Sequence, residues 1–168
     1  GGTPITRWHS SDFKFEGGFL YLAQKMQGQK TSTGGLMGML NKPLFKQSLS
    51  MYAFSDTDTP QLESAEVLAP LEPRLEPYFM AFTSDITRAR QILNPWVAIP
   101  LAEWAERYPL KQGSPNQLVV LFSPKGVYLA MLGLVNPEFL EELATLGAEL
   151  VRAQGSVSDF QEDNSQLP

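Results

Sequence analysis

The segment Thr6-Arg7-Trp8-His9-Ser10-Ser11-Asp12 gathers a serine, the chain's single histidine and an aspartate. These are the groups from which a nucleophile, a general base and an orienting acid are built. Their spacing opposes that chemistry, because side chains of near neighbours on one short segment do not align in series. The segment therefore reads as a terminal stretch whose Trp8 docks on the body of the protein. Cysteine is absent, which excludes thiol nucleophiles, disulfides, thiolate-bound zinc and iron–sulfur clusters together. A single histidine leaves no histidine pair for a metal, so neither a metal site nor a cofactor is expected, and no residue is assigned a catalytic role.

Three further clusters have chemical potential. Thr83-Ser84-Asp85 stands where a strand enters a helix, and its hydroxyls and the free amides of the helix could seat an anion. Helix capping accounts for the same residues without a ligand. Gly34-Gly35-Leu36-Met37-Gly38 is glycine-rich like a phosphate loop, but it follows no clear strand and lacks the Gly-Lys-Ser/Thr ending. Glu103 and Glu106 beside Arg107 could supply a carboxylate pair. They fall on the polar side of a helix whose other side carries Trp104 and Tyr108, which favours a solvated face. Trp96, Trp104 and Tyr108 follow the apolar periodicity, as core residues or as the wall of a hydrophobic groove, and are the candidate interaction residues.

These residues need a scaffold. Phe19, Leu22, Ala23 and Met26 recur at helical spacing and predict a short helix closed near Gly28, with a second helical stretch over 36–48. Leu49 to Phe54 predicts a strand. Ser55 to Pro77, with four prolines from Pro60 onward and a Leu-Glu-Pro repeat, reads as an extended surface connection. Tyr78 to Phe82 predicts a strand, Ile86, Ala89 and Leu93 the inner face of a helix capped by Thr83 or Ser84 and stopped by Asn94-Pro95. Trp96 to Ile99 predicts a short strand, and Leu101, Trp104, Ala105 and Tyr108 a helix ended by Pro109. Gln117 to Phe122 and Val127 to Leu132 predict a hairpin through Ser123-Pro124-Lys125-Gly126, whose proline and glycine suit a type I turn. Asn136-Pro137 opens the last helix, with Phe139, Leu143, Leu146 and Leu150 on one stripe and Gly155 as its terminator.

The fold class expected is α/β, with α+β as the alternative: a single mixed sheet of about five strands with packed helices. Residues 1–48 are expected to form an irregular or helical segment on the body, 49–154 the domain proper, and 155–168 a flexible acidic tail.

Charged residues are 18% of the chain and the net charge is −5. Within 1–50, however, six bases (Arg7, Lys14, Lys25, Lys30, Lys42, Lys46) outnumber two acids (Asp12, Glu16), a local excess of +4. Lysines so diluted by glycine do not form the dense face that duplex binding needs, so nucleic acid is not an expected partner. Another protein is, an acidic one if the local excess steers it, with self-association as the alternative. No apolar run is long enough for a transmembrane helix, which implies a cytoplasmic protein, or an exported one after removal of a leader or anchor.

The succession Leu49-Ser50-Met51-Tyr52-Ala53-Phe54, a proline-rich connection, Tyr78-Phe79-Met80-Ala81-Phe82-Thr83-Ser84, a helix, Trp96-Val97-Ala98-Ile99-Pro100-Leu101 and Leu118-Val119-Val120-Leu121-Phe122-Ser123-Pro124 resembles the N-terminal domain of the SseB family, named for enhanced serine sensitivity. Residues Leu44 to Leu132 carry the resemblance. It implies an α/β domain without catalytic activity, acting as an accessory or protein-interaction module. The alternative is a small-molecule or anion-binding protein, or an enzyme using carboxylate and serine groups alone.

Overall fold

The computed structural model describes residues 4–26, 47, 49–52, 54, 57, 59–60, 62–111, 116–133 and 135–165, with side chains as far as 155. The helical stretch expected over 36–48 and the glycine-rich 34–38 lie almost wholly outside the described residues. One six-stranded sheet organises the chain, in the order β1 (Ile5–Ser10), β6 (Gly126–Leu132), β5 (Val119–Ser123), β2 (Leu20–Gln24), β4 (Phe79–Thr83) and β3 (Glu66–Val67). Every pairing is antiparallel. Three helices, α1 (Ile86–Ile92), α2 (Pro95–Arg107) and α3 (Pro137–Ser165), pack with it. Among the described residues the expected single sheet with packed helices is thus present, with six strands where about five were expected, and it is antiparallel throughout rather than mixed.

The sheet's pleat divides the core. Leu20, Leu22, Phe79, Ala81, Val120, Phe122, Leu129 and Met131 point to the side of α1, α2 and α3, where they join Ile92, Val97, Leu101, Leu143, Leu146 and Leu150. Their neighbours Tyr21, Ala23, Phe82, Val119, Leu121, Tyr128 and Ala130 point the other way, onto Leu49, Tyr52, Phe54 and Ala65. Alternation at period two is maintained, but both faces are buried.

This double burial corrects several expectations. Phe19 to Gln24 is not helical: β2 is a central strand between β5 and β4, with Leu20 opposite both Phe122 and Thr83. A strand covered on both faces is apolar at every position, so a helical subset can be picked from it by chance. Residues 1–48, read as irregular or helical, therefore contribute two strands. Leu49 to Met51 is helical rather than extended. The proline-rich connection holds β3 and a 3-10 turn at Leu62–Ser64, and it buries Leu68, Leu71 and Leu75 in the core instead of lying on the surface.

Trp96 to Ile99 is helical, not a strand. Asn94 Oδ1 accepts from the amides of Trp96 (2.9 Å) and Val97 (3.3 Å), and Pro95 occupies the first helical position, where its missing N–H costs nothing. Asn94-Pro95 thus ends α1 and starts α2. Asn136 does the same for α3, accepting from the Phe139 amide at 2.8 Å. That helix passes through Gly155, the expected terminator, and continues to Ser165, so the tail expected from 155 onward begins as helix. One interior glycine lowers helix stability by about 1 kcal/mol, too little to stop a helix this long.

The hairpin between β5 and β6 matches expectation. Gly126 takes φ +137°, and a side chain there would meet His9 Nε2 at 2.7 Å and the Ser10 carbonyl oxygen more closely still. The turn glycine thus also lets β1 lie against β6.

Candidate functional site

Helices α2 and α3 run antiparallel. Near the start of α2, the Ile92 carbonyl accepts from Gln154 Nε2 at 3.0 Å; at its end, the Tyr108 hydroxyl donates to the Glu142 carboxylate. Each helix turns one stripe to the other: Trp96, Ile99, Pro100, Glu103 and Arg107 from α2, and Glu138, Glu141, Glu142, Thr145, Glu149 and Arg152 from α3. These positions recur at three- and four-residue steps, so they share one side of each helix. Between them lies an open seam of two adjoining cavities, about 470 Å³ beside the glutamates and about 290 Å³ beside Trp96 and Ile99, with Pro100, Glu103 and Glu149 bordering both.

The structure separates the three aromatic residues singled out from the sequence. Trp96 stands at one end of the seam and is 64% exposed, whereas Trp104, two turns further, is buried at 6%. Trp104 forms the wall of the acidic cavity and packs with Tyr108 and Phe139, ring centroids 4.9 and 5.2 Å away. Its indole N–H meets no acceptor among the described residues. Tyr108 is half-buried and held from two directions, since its carbonyl accepts from Gln24 Nε2 at 2.8 Å and its hydroxyl bonds Glu142. That hydrogen bond, together with partial burial and the carboxylate's charge, raises the Tyr108 hydroxyl above the ordinary tyrosine range. Only Trp96 of the three offers a free aromatic surface.

The anion-site residues have other partners. Thr83 Oγ1 donates to the Phe19 carbonyl at 2.8 Å and accepts from the Asp85 amide at 3.1 Å. Ser84 Oγ accepts from the Phe19 amide at 3.0 Å. Asp85, not Thr83 or Ser84, caps α1, taking the Arg88 amide at 3.1 Å and putting a carboxylate where an anion would sit. Both hydroxyls instead tie the junction to the entry of β2.

Glu103 and Glu106 are not paired either: Glu106 accepts from the Tyr78 hydroxyl at 3.2 Å, and Glu103 faces the seam. His9 stacks on Tyr128 with 4.2 Å between centroids, and its Nε2 lies 3.1 Å from the Lys125 carbonyl, while Ser10 Oγ accepts from the Asp12 amide at 3.1 Å. No relay joins the three. Among the described residues, no group of three histidine, aspartate or glutamate side chains converges as metal ligands would, and no helix is long and apolar enough to cross a membrane.

Reasoning from the sequence missed the seam's acidic half, Glu138, Glu141 and Glu149. Their spacing of three and eight residues, which sets them on one side of a helix away from the stripe of Phe139, Leu143, Leu146 and Leu150, was visible, but which element would face them was not. Compared with family models, curated proteins and solved structures, the chain matches none.

Proposed function

We propose that this protein is a non-enzymatic accessory domain, as the resemblance to the SseB N-terminal domain implies, and that it binds another protein through the seam between α2 and α3. Of the segments that carry that resemblance, Phe79–Thr83 and Val119–Ser123 are strands, while Leu49 to Met51 and Trp96 to Ile99 are helical. The observation that carries the proposal is Trp96. A large aromatic side chain 64% exposed, beside the 38% exposed Ile99 and at the mouth of an open seam, leaves apolar area in water that folding does not use. Tryptophan anchors of this kind dominate the energetics of protein interfaces. The internal engagement of Thr83, Ser84 and Asp85 weighs against the anion-binding alternative, and the absence of a relay through His9, Ser10 and Asp12 against a serine–histidine–acid enzyme.

Trp96→Ala is the test, because the side chain supports little of the fold. The variant should retain the wild-type melting temperature and circular dichroism spectrum. A photoreactive amino acid at position 96 should cross-link a protein from the source cell, and that protein, purified, should bind Trp96→Ala at least tenfold more weakly than wild type. Equal binding by the folded variant would refute the proposal, as would turnover of a substrate that survives further purification.

A further inference from the structure

We infer that the occupant of this seam is a cationic amphipathic segment of a partner protein, with its apolar side chains against Trp96 and Ile99 and its lysine or arginine side chains against Glu103, Glu138, Glu141 and Glu149. The inference rests on the reading of the seam as a protein-binding face and specifies the partner's chemistry.

Charge complementarity carries it. Five glutamates and two arginines border the seam. Glu142 has partners, the Tyr108 hydroxyl and Arg107 at 3.9 Å. Glu103, Glu138, Glu141 and Glu149 are exposed and, among the described residues, make no ion pair. Acidic residues in the first turn of a helix complement its dipole, which suffices to explain Glu138. It does not explain Glu149, three turns further along, or Glu103, past the middle of α2. These carboxylates border one cavity from two helices and outnumber the arginines beside it, so the seam carries a net negative charge that a cationic segment complements. An acidic partner, as suggested by the basic excess of residues 1–50, would be repelled here.

The seam is also ordered along its length. Its smaller cavity is bordered mainly by Trp96, Ile99, Pro100 and Ala153, whereas five of the ten residues around its larger one are glutamates. From Trp96 to Arg107 the α2 stripe extends about 16 Å at 1.5 Å per residue, which matches about three turns of an added helix. A helix laid in a groove between two helices, read through anchors at three- and four-residue steps, is a recurrent mode of peptide recognition. Apolar anchors at one end and cations toward the other suit this seam.

Three synthetic 14-residue helical peptides probe the inference by titration calorimetry on the full chain: one with leucine and lysine faces, one with leucine and glutamate, one with serine and lysine. The leucine–lysine peptide should bind best, by at least tenfold. Its affinity should fall about tenfold in the triple variant E138Q/E141Q/E149Q, about tenfold between 50 and 500 mM salt on wild type, and at least tenfold in Trp96→Ala. Preferential binding of the leucine–glutamate peptide, still weakened by Trp96→Ala, would overturn the cationic partner and leave the interaction face standing. Leucine–lysine binding indifferent to both variants would place the site elsewhere and overturn both readings. Failure of all three peptides to bind would overturn the cationic segment, as would self-association of the chain that the triple variant abolishes, since the occupant would then be a second copy.

Discussion

On one side of α3, Gly147 lies so near the Trp8 indole that a Cβ would meet ring atom Cδ2 at 2.6 Å and Cε3 and Cζ3 more closely. On another side of the same helix, Glu138, Glu141 and Glu149 border a cavity of about 470 Å³. The first contact closes the helix onto β1 with no spare volume. The second opens along the outer edge of the line where α3 packs beside α2, which the two helices close only on its inner side, through Trp104 and Phe139. A close-packed contact constrains residue identity through volume, since even one added methyl has nowhere to go. A seam open to solvent imposes no such constraint, so the residues along it are free to serve binding. Trp104 sits between these regimes, with the closed core behind it and the cavity in front.

Trp104→Ala gives the largest expected effect. Loss of about 3 to 5 kcal/mol is expected for truncating a buried tryptophan, seen as a fall of about 10 °C or more in Tm. Trp104→Phe keeps most of the contact with Tyr108 and Phe139 and removes the unpartnered indole N–H, so a loss below about 1.5 kcal/mol is expected. Urea unfolding distinguishes the two. Equal, small losses would mean that the cavity wall belongs to the open regime and the boundary lies deeper.

Tyrosine titration sharpens the contrast next. Burial on the far side of the sheet pushes the Tyr52 hydroxyl up to about 12, while an unfolded tyrosine ionises near 10. Between these values the unfolded chain has released the proton and the folded chain has not. The stabilisation is therefore complete below pH 10 and is lost as pH rises toward 12, about 2 to 3 kcal/mol in all. Unfolding measured from pH 9 to 12 should show this decline in wild type and a shallower one in Tyr52→Phe. Identical slopes would mean that Tyr52, despite its hydrogen bond to Gln117 Oε1 at 2.9 Å, is not held in closed packing.

Gly147→Ala is the smallest of the three. Overpacking against Trp8 costs about 1 to 3 kcal/mol, partly offset by the better helix propensity of alanine, about 1 kcal/mol. A net loss by chemical denaturation is expected. Trp8→Leu should reduce that loss when the two substitutions are combined, because the ring that obstructs the methyl is gone. Stabilisation by Gly147→Ala alone would show that the contact yields and that the two sides of α3 differ less than their geometry suggests.

Chemistry confined to a few neighbouring residues was legible in the chain itself. Pro124 and Gly126 mark the hairpin turn, Asn136-Pro137 marks the start of α3, and the absence of cysteine with a single histidine removes whole classes of site. These signals act through one turn of backbone and need no partner element. Asn94-Pro95 carried the same start signal as Asn136-Pro137, but read only as a stop it turned the first residues of α2 into a strand.

Tertiary structure alone decided the rest. Strand β2 is recognisable only once β5 and β4 flank it and both its faces are covered, because burial on two sides erases the alternation that marks a strand. The fates of Trp96 and Trp104 were likewise undetermined, since eight residues apart on one helix they fit the same apolar pattern. Asn94, by starting the helix where it does, and α3, by packing beside it, buried one and left the other in water. The acidic seam exists because stripes more than thirty residues apart in the chain face each other, and a hydrophobic pattern specifies which side of a helix is buried, not which neighbour its remaining side will meet.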